Sequence, residues 1–163
     1  MSSMEPRKIF INTLIELAEK DDKIVLIICD VGFSLVEGFK EKFPDRYFNF
    51  GVTEQSTMLI AAAMALAGFK PYVYSMINFV VFRPYEMVRN GICMHQANVK
   101  LIGVSGIQKY KFYGFSHNMI IDNEDVEVLK HLPIDTFIPQ SEEEIRRVIL
   151  KSYEEKKPTY IRL

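Results

Sequence analysis

The sequence predicts an α/β protein built on a doubly wound, mostly parallel sheet with helices on both faces. Continuous apolar runs such as IVLIIC (residues 24–29) and VKLIGVSG (99–106) suit strands buried on both sides, since a half-exposed strand would alternate. These runs trade places with stretches of helical periodicity along the whole chain, the pattern of successive βα units. With 163 residues and 48% hydrophobic content the chain can bury one good core and has little room for a second domain of normal size. A single domain over residues 1–163 is therefore expected.

The elements follow in order. Residues 6–21, PRKIFINTLIELAEKD, carry Ile9, Phe10, Thr13, Leu14 and Leu17 at helical spacing and lead into the strand IVLIIC. Asp30-Val31-Gly32-Phe33-Ser34 reads as a strand-to-helix turn, with Ser34 an N-cap candidate for a short helix ending near Phe43-Pro44. A second strand, RYFNFG, feeds a helix over residues 53–67, rich in small residues and stopped by Gly68, which is expected to be buried beneath the sheet. Then come strand KPYVYS, a helix over residues 79–97, strand VKLIGVSG and a loop to about Asn123. Helix 124–131, strand IDTFIPQ, helix SEEEIRRVILKSYEEK and strand TYIRL complete the chain. Ser141 and Glu144 form a capping box for the last helix, so its glutamates are read as helix-start chemistry and no metal site is assigned to them. The loop segment IQKYKFYGFSHN is long, aromatic and polar, as functional loops tend to be.

Charge is balanced, 20 Lys+Arg against 21 Asp+Glu, and no basic run breaks that balance, which argues against nucleic-acid binding. No apolar run approaches the roughly 20 residues that span a bilayer, and MSSMEPRK lacks a signal-peptide core, so a cytoplasmic protein is expected. Cys29 and Cys93 lie far apart without metal-ligand spacing and are read as buried free thiols.

Ligands of open α/β sheets sit beyond the carboxyl ends of the strands. Three such ends carry polar groups here: Asp30 with Ser34, Thr53 with Glu54, and Ser105 leading to His117. Each has a structural explanation, because Ser34 and Thr53 suit N-caps, Asp30 suits a turn and His117 suits a solvated loop. Glu54 differs, since the apolar start of its helix and the preceding FNF could bury the carboxyl as proton-transfer groups require. Phe79, Phe82 and Tyr85 recur at i, i+3 and i+6, a spacing that serves either core packing or a stacking platform for a flat heterocycle. There is no G-x-G-x-x-G, Walker loop or H-E-x-x-H.

Together, RYFNFGVTEQSTMLIAAAMALAGFKPYVYSM, NFVVFRPYEMVRNGI, NVKLIGVSG, YGFSHN and PTYIRL resemble the pyrimidine-binding domain of the transketolase family of thiamine-diphosphate enzymes, over essentially the whole chain. The resemblance rests on G-x-x-E-Q, an Ala-rich helix ending in G-x-K-P, and F-x-x-F-x-x-Y, in order and in spacing. Deoxyxylulose phosphate synthases and the beta subunits of 2-oxoacid dehydrogenases share this domain. The resemblance implies that Glu54 hydrogen-bonds the ring nitrogen of the cofactor's aminopyrimidine and favours its imino tautomer. It implies that Phe82 stacks on that ring with Phe79 and Tyr85 flanking it, that Asp30 also lies at the cofactor, and that His117 and Ser34 approach the substrate.

The departures have implications too. Ser105 replaces a substrate histidine of phosphosugar transketolases, Tyr113 replaces an aspartate, and the sequence stops before a phosphate-binding arginine. The Gly-Asp-Gly to Asn motif that holds diphosphate and Mg²⁺ in the family is absent from this sequence, as is a third C-terminal domain. The expected protein is thus the pyrimidine-binding subunit or domain of a split transketolase-like transferase, working as a homodimer or heterotetramer with a diphosphate-binding chain that holds the Mg²⁺. Its substrate would be a small ketose or 2-oxoacid. The alternatives are a non-catalytic interaction or regulatory module and the pyrimidine subunit of a 2-oxoacid decarboxylase or dehydrogenase.

Overall fold

In a computed structural model, which describes residues 5–104 and 111–163, the apolar runs become six parallel strands. They are β1 (Ile24–Ile28), β2 (Tyr47–Asn49), β3 (Lys70–Met76), β4 (Lys100–Val104), β5 (Asp135–Phe137) and β6 (Thr159–Arg162), in the spatial order β2-β1-β3-β4-β6-β5. Every residue of β1 and β4 is buried, which is why these strands read as apolar runs, interrupted only by Lys100 at the start of β4.

The period of two along each strand divides the core into two layers. Leu26, Ile28, Tyr72, Tyr74, Ile102 and Ile161 face α1 (Pro6–Ala18), α2 (Glu37–Lys42) and α6 (Glu142–Glu154), where Phe10, Leu14, Phe39 and Ile149 meet them. Phe10 lies stacked on Tyr74 with ring centroids 5.8 Å apart. Ile27, Val73, Leu101 and Tyr160 face the other way, toward Met58, Ala61 and Ala62 of α3 (Glu54–Leu66) and Leu129 of α5 (Glu124–Leu129). Each fully buried side chain of this size contributes roughly 1.5–3 kcal/mol relative to exposure.

Helix ends account for several boundaries. Gly68, at φ 94°, ends α3 with N–H groups of Gly68 and Phe69 donating to Ala65 and Met64 carbonyls, a Schellman closure that needs a left-handed residue. The Ser141 hydroxyl accepts from the Glu144 N–H at 3.2 Å, and the Glu144 carboxylate reaches back to the Gln140 N–H at 2.8 Å.

Four expectations need correction. Ser34 is not an N-cap: it lies before α2 at φ 64°, and its N–H instead donates to Glu37. Thr53 holds the N-cap position of α3, but its hydroxyl donates to the Phe50 carbonyl at 2.8 Å and leaves the helix N–H groups alone. The helix expected over residues 79–97 is a run of wide turns, π-helical over Asn78–Phe82 and Val88–Cys93 with α4 (Tyr85–Met87) between them, and N–H groups of Arg83 and Met94 bond carbonyls five residues back. Finally, α3 is buried along one side only, for Leu59, Ile60 and Leu66 on its other side are exposed.

Two buried polar clusters have no local sequence signature. Asp125, fully buried in α5, accepts from the Tyr160 hydroxyl at 2.5 Å and Arg162 at 2.8 Å, and Arg162 also donates to Asn123 at 2.7 Å. Gly103 makes room for that tyrosine, since a Cβ there would come within 2.7 Å of its hydroxyl. At the opposite end of the sheet, the Lys100 ammonium is enclosed and donates to the Glu155 and Lys157 carbonyls, both at 2.8 Å.

Burial penalises the charge of Lys100 and pulls its titration down to about 8. An unfolded lysine titrates near ~10.4, so between these values the unfolded chain binds more protons and stability rises with pH. Denaturant unfolding at pH 7.5 and 9.5 is expected to show wild type gaining roughly 2 kcal/mol on a Lys100→Met variant over that interval. A pH-independent difference between the two would show that the amine is not forced toward neutrality.

Candidate active site

The chain leaves β1 for β2 on one side and returns to β3 on the other, so the sheet opens a crevice at the carboxyl ends of β1 and β3. A cavity of about 570 Å³ occupies it. Cys29 and Asp30 line it from the end of β1, Tyr74 and Met76 from β3, and Val104 from β4. Glu54 enters from α3, Phe79 and Arg83 from the π-helical turns, Arg7 from α1, and Tyr113 and His117 from the loop before α5.

Glu54 is the first residue of α3, where unpaired N–H groups and the helix dipole favour a carboxylate. It is 3% exposed, and its Oε1 accepts from Arg83 Nη1 at 2.6 Å. The same guanidinium lies over the face of Phe79, 4.2 Å from the ring centroid, so carboxylate, cation and aromatic ring form one assembly. The Phe79 ring meets His117 edge-on at 5.1 Å, and Tyr113 lies 4.8 Å from the same imidazole. His117 Nδ1 is 2.7 Å from the Ser116 hydroxyl, and the loop is tied to the π-helical turn by Asn78, which donates to the Asn118 carbonyl at 3.1 Å.

The β1–α2 turn is shaped by left-handed residues, Asp30 at φ 53°, Gly32 at φ 96° and Ser34 at φ 64°. A Cβ on Gly32 would sit 3.1 Å from the Tyr74 ring, so glycine is required there by close approach as well as by conformation. Asn49 holds this rim together by accepting from the N–H groups of Asp30 and Gly51, each at 3.0 Å. Cys29 donates to Thr57 at 3.5 Å, and burial pushes its thiol upward, which argues against a reactive thiolate.

Glu54, Phe79, His117 and Asp30 thus come together around one cavity. Ser34 stands beside it without lining it, although its neighbour Phe33 does. Phe82 packs against the core layer containing Val80 and Val81, and Tyr85 is half-buried; neither lines the cavity. The reason is the wide turn, whose hydrogen bonds to the fifth residue back remove the threefold spacing from a common side. Ser105 lies outside the described residues. Sequence reasoning missed Arg83, whose partner is 29 residues away, and Arg7, which sits in an ordinary helix start; neither carries a local signal.

Comparison with known proteins agrees with this architecture. Residues 2–163 match the family model for the transketolase pyrimidine-binding domain. The chain is 31% identical over 159 residues to an apulose-4-phosphate transketolase subunit from Phocaeicola vulgatus, covering 96% of this chain and 50% of that protein. It is 36% identical over 140 residues to a 1-deoxy-D-xylulose-5-phosphate synthase from Bacillus velezensis, covering 84% of this chain and 21% of the relative. Among solved structures, a split-gene transketolase described as an inactive beta4 tetramer superposes with a TM-score of 0.86 at 31% identity, over 99% of this chain and 52% of that one. The chain therefore spans about half the length of its split-transketolase relatives, and it belongs to the transketolase pyrimidine-binding domain family.

Proposed function

We propose that this chain is the pyrimidine-binding subunit or domain of a split transketolase-like transferase that uses thiamine diphosphate. The observation that carries the reading is Glu54, almost wholly shielded from water yet facing the cavity beside the Phe79 ring. The site fits the aminopyrimidine, because a flat, nitrogen-bearing cation is already accommodated there between a carboxylate and an aromatic face.

Glu54 would hydrogen-bond the ring nitrogen, and Phe79 would cover the ring, with Phe82 and Tyr85 at the edge that a partner chain completes. When bound, the cofactor supplies carbanion chemistry, and its diphosphate and Mg²⁺ would be held by the partner. The work of this chain is orientation and exclusion of water, by a carboxylate fixed at a helix start and walls from three buried strands. His117 and Ser34 would face the substrate, with Asp30 on the turn beneath it. The substrate would be a small ketose or 2-oxoacid.

The exposed side of α3, with Leu59, Ile60 and Leu66, suits a second copy of the chain, and the small exposed residue Ala63 on it permits close approach. The tetrameric split-gene relative, named as inactive, supports activity that depends on a second kind of chain. Calorimetric titration tests this: thiamine diphosphate is expected to bind this chain alone only weakly, at millimolar concentration through its pyrimidine ring, and to show tight, saturable binding once a diphosphate-binding transketolase chain is added. An assembled complex that takes up no cofactor would overturn the reading in favour of a non-catalytic module.

A further inference from the structure

The ion pair at the floor of the cavity has a geometry of its own. The two partners differ in burial, Glu54 with 3% of its side chain exposed and Arg83 with 41%. The carboxylate is therefore part of the wall, whereas the guanidinium reaches it from the solvent side. The Arg83 backbone is held on both sides, its N–H donating to the Asn78 carbonyl at 2.9 Å and its carbonyl accepting from Gln55 at 3.4 Å. Movement is left to the side chain alone.

A guanidinium is planar and delocalised, with donors in its plane and a face that stacks on aromatic rings. A protonated aminopyrimidine presents the same surface. Arg83 uses both features here, one on Glu54 Oε1 and the other on the Phe79 face. A heterocycle seated on that carboxylate and that ring would need the same volume. We infer that Arg83 is an internal stand-in for the ligand ring, a latch that neutralises Glu54 while the site is empty and that a flat nitrogen heterocycle displaces.

The asymmetry of burial fixes which partner leaves. Glu54 stripped of any cation would be a buried, uncompensated charge, which is costly. The arginine rehydrates as it swings out, and the incoming ring, taking up one proton from solvent at its ring nitrogen, takes over its charge and its stacking contact. Two consequences follow: the empty chain keeps its carboxylate in place, and affinity for the ring is reduced by the fraction of chains in which the latch is closed.

This inference rests on the pyrimidine-site reading, and the test separates the two. The probe is 4-amino-5-hydroxymethyl-2-methylpyrimidine, which lacks the diphosphate and so needs no partner chain, titrated into the ¹⁵N-labelled chain and followed by NMR. Arg83→Gln is expected to bind it about tenfold more tightly than wild type. Glu54→Gln is expected to lose binding. In wild type the Arg83 guanidinium signals should show slowed rotation that the probe abolishes.

Unchanged or weaker affinity in Arg83→Gln, together with lost binding in Glu54→Gln, would overturn the latch and leave the pyrimidine site standing. Binding indifferent to Glu54→Gln, or no binding by either wild type or Arg83→Gln at millimolar probe, would overturn both. Should Arg83→Gln not fold, Arg83→Lys, which keeps the charge and loses the fork, is expected to bind more tightly than wild type; equal affinity would overturn the latch.

Discussion

Glu54→Gln is expected to lower the turnover of the assembled, partner-bound enzyme by at least about 10²-fold, within the range that proton-transfer groups commonly contribute. Glu54→Ala should fall at least as far. The loss is expected in kcat more than in cofactor affinity, because the diphosphate grip belongs to the other chain. Folding should survive both changes. Removing the glutamate leaves Arg83 without that partner, but with 41% of its side chain exposed the guanidinium can turn to water. Single-turnover kinetics with saturating partner and cofactor, alongside thermal unfolding of the same samples, separates chemistry from stability. Near-normal turnover in Glu54→Ala would remove the carboxylate from the mechanism.

The second large effect concerns stability. Asp125→Ala would leave the Arg162 cation, 13% exposed, without its buried counter-charge and the enclosed Tyr160 hydroxyl without its acceptor. Breaking a buried pair in this way costs about 3–5 kcal/mol. For a chain of this length the melting temperature should fall by roughly 10 °C or more. The damage should be concentrated where α5 meets β6, so hydrogen exchange in Thr159–Arg162 should accelerate more than in β1. Asp125→Asn keeps the shape and an acceptor and should lose less. A melting point within about two degrees of wild type in Asp125→Ala would mean that water enters the cluster and replaces the carboxylate.

Much of the sheet could be read from the sequence because β1, β3 and β4 are buried on both faces and so contain almost nothing but apolar residues. The ends of α3 and α6 were equally legible, since Gly68 and Ser141 act through their immediate neighbours. The π-helical turns could not be anticipated from periodicity, and with them went the shared side expected for Phe79, Phe82 and Tyr85. Ser34 failed as a cap because the Asp30–Ser34 turn is shaped by left-handed residues packed against Tyr74, a contact made by a strand that follows it by some forty residues. The resemblance drew attention to Glu54, and its burial is seen, but the Arg83 that meets it came from contacts between distant segments. The same holds for Asp125 with Tyr160 and Arg162, which are 35 and 37 residues apart in the chain.

The reversal of direction at β1 has a consequence for how such a protein can change. The hollow at that point is a product of connectivity, so erasing every polar group around its mouth would leave the vessel itself standing. New reactivity could be installed there by exchanging loop residues, while the layers that keep the chain folded go on as before.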